Sequence, residues 1–317
     1  MMRAVGVIEF GGPDALQVVE LPEPQAGPDQ VRIRVHAAAV NPTDTMFRAG
    51  AQHADRSDRK PPFIPGMDAA GVIDQVGPGV DRLKVGDRVV AVVFSHGSRG
   101  GAYAEQIVVP AASVVPIADR IDFAEAGSFM MNAATARRTL DVFGLDPGTN
   151  IAVTGAAGAY GGHVVELAKA DGLRVIADAS PADIELVRSL GADEVVARGD
   201  DVAGRIRAIV PDGVPALADG ALLEALALPA IADGGQLAEV RRWPGPSERG
   251  IAIHAIAVAD VMRETPLLQR LAEQAEQGVI HLRVAQVYPA SKAAEAHRRL
   301  EAGGVRGRLM LDFTDFG

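Results

Sequence analysis

The stretch Asn150-Ile-Ala-Val-Thr-Gly-Ala-Ala-Gly-Ala-Tyr-Gly-Gly162 restricts what this chain can become more than any other. Ile151 to Val153 is a short apolar run of strand type; it breaks into glycines and alanines, then resumes as a helical pattern from His163 to Ala170. A strand that turns through small residues into a helix gathers backbone N–H groups and the helix's positive end at one point. That point suits a pyrophosphate. Bulky side chains would hold the phosphates away, so Gly155, Ala156, Gly158, Ala159 and Gly161 are candidate cofactor contacts, flanked by Thr154 and interrupted by Tyr160. The spacing Gly155-x-x-Gly158-x-x-Gly161 is not the G-x-G-x-x-G fingerprint, and alone it reads equally well as a tight turn with no ligand. Asp178 shifts the balance. It closes a second strand, Leu173 to Ala177, about twenty residues after Gly158, where a ribose-binding acid is expected.

The pattern around this turn changes halfway along the chain. Residues 3 to 36 alternate short strands with Pro/Gly punctuation, and Val31 to His36 has period two. Asn41 to Arg48 reads as a turn into a short helix, and Gln52 to Lys60 as an exposed loop. Bent strands follow to Val93 and again from Tyr103 to Val109, which predicts a barrel-like β unit. Helices are expected over Phe123 to Met131 and Ala133 to Phe143. After the glycine turn come helix Pro181 to Leu190, strand Glu194 to Ala197, helix Asp201 to Ile209, strand Pro215 to Ala218, helix Ala221 to Ala230 and strand Gly235 to Val240. That βαβα rhythm predicts a doubly wound parallel sheet. Helix Pro266 to Gln277, strand Leu282 to Tyr288, helix Ser291 to Glu301 and strand Arg308 to Phe313 close the chain.

Composition bounds the chemistry. The 317 residues suffice for two domains. A net charge of −10, with basic residues scattered, argues against a nucleic-acid partner. The absence of cysteine excludes disulfides, thiolate zinc sites and a thiol nucleophile. His36, His96, His163, His254, His281 and His297 are scattered, so no metal site is predicted. Neither a signal peptide nor a membrane-spanning run is read, and a cytoplasmic protein is expected.

Several motifs in order carry a resemblance: Val35-His-Ala-Ala-Ala-Val-Asn-Pro-Thr-Asp44, Pro65-Gly-Met-Asp-Ala-Ala-Gly-Val72, Val85-Gly-Asp-Arg-Val89, Gly101-Ala-Tyr-Ala-Glu105, the glycine turn, Leu190-Gly-Ala-Asp193 and Tyr288-Pro289. The sequence resembles the medium-chain dehydrogenase/reductase superfamily, in its zinc-free quinone oxidoreductase (zeta-crystallin-like) branch, nearly end to end. The resemblance implies an α/β protein: a GroES-like β-barrel catalytic domain over residues 1–120 and 263–317, and a Rossmann domain over 121–262. It implies an NADPH-dependent reductase acting on a quinone or an activated alkene or carbonyl, assembled as a homodimer through the strand Ile251 to Val258. It also implies that no zinc is used, since zinc-dependent relatives carry a cysteine near Asn41 and a His-Glu pair where Met67 and Asp68 stand.

By the same resemblance, Asn41 lies near nicotinamide and substrate, Thr135 lies close to the cofactor, and Arg308 aligns with an arginine that reaches the pyrophosphate. As plain sequence, Asn41 is equally a turn cap before proline and Thr135 an ordinary helix residue. Met46 stands where relatives often carry tyrosine; it lines the substrate without donating a proton, so solvent protonates the product. Cofactor choice is divided. Ser180 matches the serine of a Ser-x-x-Lys phosphate motif whose lysine is missing, and Asp178 opposes a 2′-phosphate, whereas Arg198 would pair with one. NADP(H) is the expectation and NAD(H) the alternative. An enoyl-thioester reductase, or a cofactor-binding protein without turnover, are the competing readings. The cleft's shape rests on the loops Gln52 to Lys60 and Phe94 to Gly101.

Overall fold

The computed structural model describes residues 1–51, 60–95, 100–246 and 248–316. Of the two loops just named, residues 52–59 and 96–99, His96 among them, lie outside the described residues. The chain divides into two compact units: Met1–Met131, Met262–Glu276 and Leu282–Gly317 form one, Asn132–Val261 and Gln277–His281 the other. The first boundary thus falls at 131/132, not 120/121, because the short helix before it packs on the strands of the first unit.

The first unit supplies β1 (Met2–Val7), β2 (Leu16–Leu21), β3 (Gln30–Val40), α1 (Pro42–Arg48), β4 (Asp68–Val76), β5 (Arg88–Val92), β6 (Gln106–Pro110), β7 (Val114–Pro116) and α2 (Phe123–Ala126). Helix α3 (Met130–Phe143) leads into the second unit, which holds β8 (Asn150–Thr154), α4 (Ala159–Ala170), β9 (Arg174–Ala179), α5 (Ile184–Ser189), β10 (Glu194–Ala197), α6 (Val202–Ile209), β11 (Val214–Asp219), β12 (Ile231–Glu239) and β13 (Ala252–Ala255). The chain then adds α7 (Thr265–Glu276), β14 (Val284–Pro289), α8 (Ala293–Glu301) and β15 (Arg308–Asp312) to the first unit.

Strand β3 is the spine of the first unit. Its period-two half buries Val31, Ile33 and Val35, while Ala37 to Val40 are buried throughout. Both faces of that half are covered, with Ala38 and Val40 in the main core and Ala37 and Ala39 in a second cluster with Met310. The sheet runs β14-β15-β3-β4-β5-β7, with β6 also on β3, and β1 and β2 form a separate antiparallel ribbon. Among the described residues of this unit, β14 and β15 alone pair in parallel. Tyr103 and the aliphatic faces of these strands fill one core.

In the second unit the sheet order is β10-β9-β8-β11-β12-β13, every pair parallel. Counted from β8, this is the 3-2-1-4-5-6 order of a doubly wound fold, with the switch point between β8 and β11. The central strands are buried on both faces: Ile151 to Val153, Val175 to Ala177 and Ala216 to Ala218 are nearly inaccessible. That explains a chain rich in small and branched aliphatics and poor in aromatics.

Some expected elements differ. The helix expected over Phe123 to Met131 ends at Ala126, and Met130 and Met131 belong to α3. The helix expected over Ala221 to Ala230 is instead a pair of 3-10 turns, Glu224–Leu226 and Leu228–Ala230. Asp219 Oδ2 takes the Glu224 N–H at 2.8 Å, Leu222 and Glu224 sit at φ of 59° and 54°, and Pro229 has no N–H to give. The strand expected over Ile251 to Val258 is only β13; Ile251, Ile256 and Val258 are buried at its ends. No helix among the described residues is long and apolar enough to cross a membrane.

Candidate functional site

The glycine turn lies at the C-terminal end of β8, beside the switch point. Gly155 has φ +66°, and a Cβ there would stand 2.6 Å from the Gly220 carbonyl carbon. A Cβ on Gly161 would meet Gly155 O at 2.4 Å, so α4 approaches the strand end as closely as backbone allows. Gly158 is different. It is exposed, caps α4 without any side-chain hydrogen bond, and brings no side chain over the helix end. No side chain caps the positive end of this twelve-residue helix, which favours an anion placed beside it. These residues fit a pyrophosphate.

The flanking side chains serve the turn itself. Thr154 is fully buried; its hydroxyl donates to Asp219 Oδ1 at 2.6 Å and accepts the Ala221 N–H at 3.3 Å. Its place is inside the turn rather than on its surface. Ala156 is also fully buried, and Ala159 and Tyr160 are half-buried. The Tyr160 hydroxyl shares a hydrogen bond of 2.8 Å with Thr139, whose own Oγ1 donates to Thr135 O. Its ring edges against Gly220, so Tyr160 packs on the sheet end and α3. Burial pushes its hydroxyl pKa up. Thr135 is 7% exposed, one helical turn before Thr139.

Asp178 ends β9 facing inward: its Oδ1 accepts the Ala156 N–H at 3.2 Å. Burial pushes this carboxyl up, against bonds from the Ala156 and Gly155 N–H groups and the charge of Arg198. Ser180 gives its hydroxyl to Asp183, the buried second acid of the stretch Asp178 to Asp183. Arg198 is anchored by its N–H to Ala179 O at 2.9 Å, and its side chain is exposed.

In the first unit, Asn41 lies at the centre of a buried polar network. It has no exposed surface; its Nδ2 donates to Asp68 Oδ2 at 3.1 Å and its Oδ1 accepts from Arg308. Arg308 is buried here, charge-coupled to Asp68 and Asp44. Asp68 Oδ1 also takes the Met131 N–H at 2.7 Å. Asp44, three residues after Asn41, accepts the Asn41 N–H at 2.8 Å and the Gly66 N–H at 3.0 Å, closing the start of α1. Met46, one turn on, is half-buried.

The network extends through groups that sequence reasoning did not single out. Arg48 donates to His297 Nδ1 at 3.3 Å, and since arginine only donates, His297 carries its proton on Nε2. Nε2 then donates to the Tyr103 hydroxyl at 3.2 Å, which donates to Asp44 Oδ2 at 3.4 Å. Burial pushes Asp44 up to about 7 and the buried His297 down to about 3. Tyr103 and Asp44 stand inside the quoted motifs, but nothing local marks them as partners.

No zinc site is evident among the described residues. The sequence has no cysteine, and no three or more His, Asp or Glu side chains gather to hold an ion among the described residues. Asp68 is instead bonded to Asn41 and a backbone N–H.

Comparison with known proteins agrees with this architecture. Residues 27–119 match the alcohol dehydrogenase GroES-like domain, and residues 190–311 the family described as zinc-binding dehydrogenase. Quinone oxidoreductase of Mus musculus is 31% identical, over 98% of this chain and 98% of that protein. Alcohol dehydrogenase of Geobacillus stearothermophilus is 32% identical, over 98% and 99%. Among solved structures, mycobacterial Rv1454c complexed with NADPH is 30% identical, covers 98% of this chain and all of its own, and superposes with a TM-score of 0.85.

Proposed function

This chain belongs to the medium-chain dehydrogenase/reductase superfamily, in its quinone oxidoreductase branch, and on that footing we propose that it reduces a quinone, or an activated alkene or carbonyl, with NAD(P)H and without zinc. The observation that carries the proposal is the N-terminus of α4, which no side chain caps, behind a glycine turn at the switch point of a parallel sheet. Bound dihydronicotinamide supplies the hydride. Gly155, Gly158 and Gly161 let the backbone approach the pyrophosphate, and Thr154 with Asp219 holds the turn rigid from within. Asn41 acts as a positioning residue through its bonds to Asp68 and Arg308, while Met46 packs against the acceptor. No side-chain acid is assigned, and water protonates the reduced product.

NADP(H) is the proposed cofactor. Asp178 turns its carboxylate toward the Ala156 N–H, which softens its opposition to a 2′-phosphate, and exposed Arg198 stands beside the same strand end. A relative solved with NADPH supports this choice. A homodimer in the cytoplasm, with no nucleic-acid partner, belongs to the same reading.

The test is steady-state oxidation of NADPH and NADH, side by side, with an ortho-quinone acceptor. Faster turnover with NADPH is expected. Binding of both cofactors with no oxidation by quinone, enone or carbonyl acceptors would sink the proposal.

A further inference from the structure

Three carboxylates stand at the C-terminal edge of the parallel sheet: Asp178 near the end of β9, on one side of β8, and Asp219 on β11 and Glu239 on β12, on the other, the last two directly paired in register. Two of them are engaged by the protein around them. Asp178 takes the Ala156 N–H, and Asp219 spends one oxygen on the Thr154 hydroxyl and the other on the Glu224 N–H.

Glu239 is different. The residue is 1% exposed, and its Oε2 accepts the Arg241 N–H at 2.5 Å, but its Oε1 is buried with no hydrogen-bond partner among the described residues. A buried carboxylate oxygen without a donor is costly, so such an atom calls for an explanation. Its neighbours offer none. The Tyr160 hydroxyl is taken up with Thr139, and Thr154 with Asp219.

Position supplies the explanation. A dinucleotide crosses the C-terminal ends of a doubly wound sheet with its pyrophosphate at the first turn and its adenosine ribose toward the second strand. Here those are the β8–α4 turn and β9. The other half must therefore lie over β11 and β12, on the far side of the switch point, where Glu239 ends its strand. We propose that Glu239 is a cofactor-binding residue, whose free Oε1 accepts a hydrogen bond from a donor on the nicotinamide-riboside half: the carboxamide N–H or a ribose hydroxyl. This rests on the dinucleotide reading above. It adds a charge-assisted contact to a region where the glycine turn supplies only backbone.

The experiment compares the unaltered protein with Glu239→Gln, which is isosteric and removes the charge. Dissociation constants are measured by calorimetry for NADPH, ADP-ribose 2′-phosphate and 2′,5′-ADP; if NADH binds more tightly than NADPH, the series is NADH, ADP-ribose and ADP. Binding of NADPH is expected to weaken about tenfold while the fragment lacking riboside is unaffected. An equal loss with the ribosylated fragment assigns the bond to a ribose hydroxyl, and no loss with it assigns the bond to the carboxamide; either supports the proposal. Unchanged binding of all three ligands, or equal weakening of all three, overturns it. If the unaltered protein binds neither dinucleotide, the reductase reading itself fails. Should Glu239→Gln unfold, Glu239→Asp draws the carboxylate back by one methylene and is judged by the same three constants.

Discussion

Arg198 and Asp178 place opposite charges at the end of β9, and the geometry around them is unequal. The acid is buried and bonded to the glycine turn, whereas the guanidinium is exposed and free to meet a phosphate. Arg198→Ala should raise the KM for NADPH about tenfold and leave that for NADH nearly unchanged, since a charge-assisted bond contributes about 1.5–3 kcal/mol. Parallel kinetics with both cofactors check this. Asp44 and His297 make a second residue-level pair, linked through Tyr103 and flanked by Asp68, Arg308 and Arg48. A carboxyl raised to about 7 on folding gives stability that is full below its unfolded value of 3.8 and is lost as pH climbs through 7. A histidine lowered to about 3 gives stability that is full above 6.5 and is lost as pH falls. Between these limits the two slopes oppose each other, at about 1.4 kcal/mol per pH unit each. Asp44→Asn should therefore leave a Tm that rises from pH 4 to 6, and His297→Gln one that falls. Calorimetric melting of both variants across that range would reveal identical slopes if the buried pair were not titrating this way.

At the scale of elements, the strand–turn–helix of β8 and α4 was legible from its sequence because its determinants are local: an apolar run, small residues and a helical period. The three glycines are nevertheless not equivalent. A methyl group at 161 would collide with backbone, whereas at 158 it meets only Gly155 O, at 3.0 Å. Gly161→Ala should lower stability by about 1–3 kcal/mol, and Gly158→Ala should fold normally yet bind NADPH more weakly. Denaturant unfolding with a binding titration separates the two effects. The segment after β11 shows the opposite limit. Residues 221 to 230 have helical composition, yet Asp219 captures the Glu224 N–H and the backbone takes left-handed turns at Leu222 and Glu224. Asp219 is itself fixed by Thr154, across the sheet, and no local pattern reports that bond.

At the scale of the whole molecule, a dinucleotide that binds only the folded state must stabilise it, and the proposed NADPH is the ligand to test. At a hundredfold excess over Kd the protein should gain about 2.7 kcal/mol, seen as a rise in Tm that adenosine alone does not reproduce. Periodicity, glycine spacing and ordered motifs are local or near-local signals, and a single chain carries them in full: two units, a parallel sheet with a glycine turn at its switch point, and an NAD(P)H-dependent family. How each buried polar group is satisfied was decided only in three dimensions. Asn41 joins Asp68 across 27 positions and Arg308 across 267, Thr154 finds Asp219 across 65, and Glu239 keeps one oxygen without a donor. Hydrogen bonds of this kind depend on which strands become neighbours, and strand order follows from burying the whole core at once rather than from any stretch of residues.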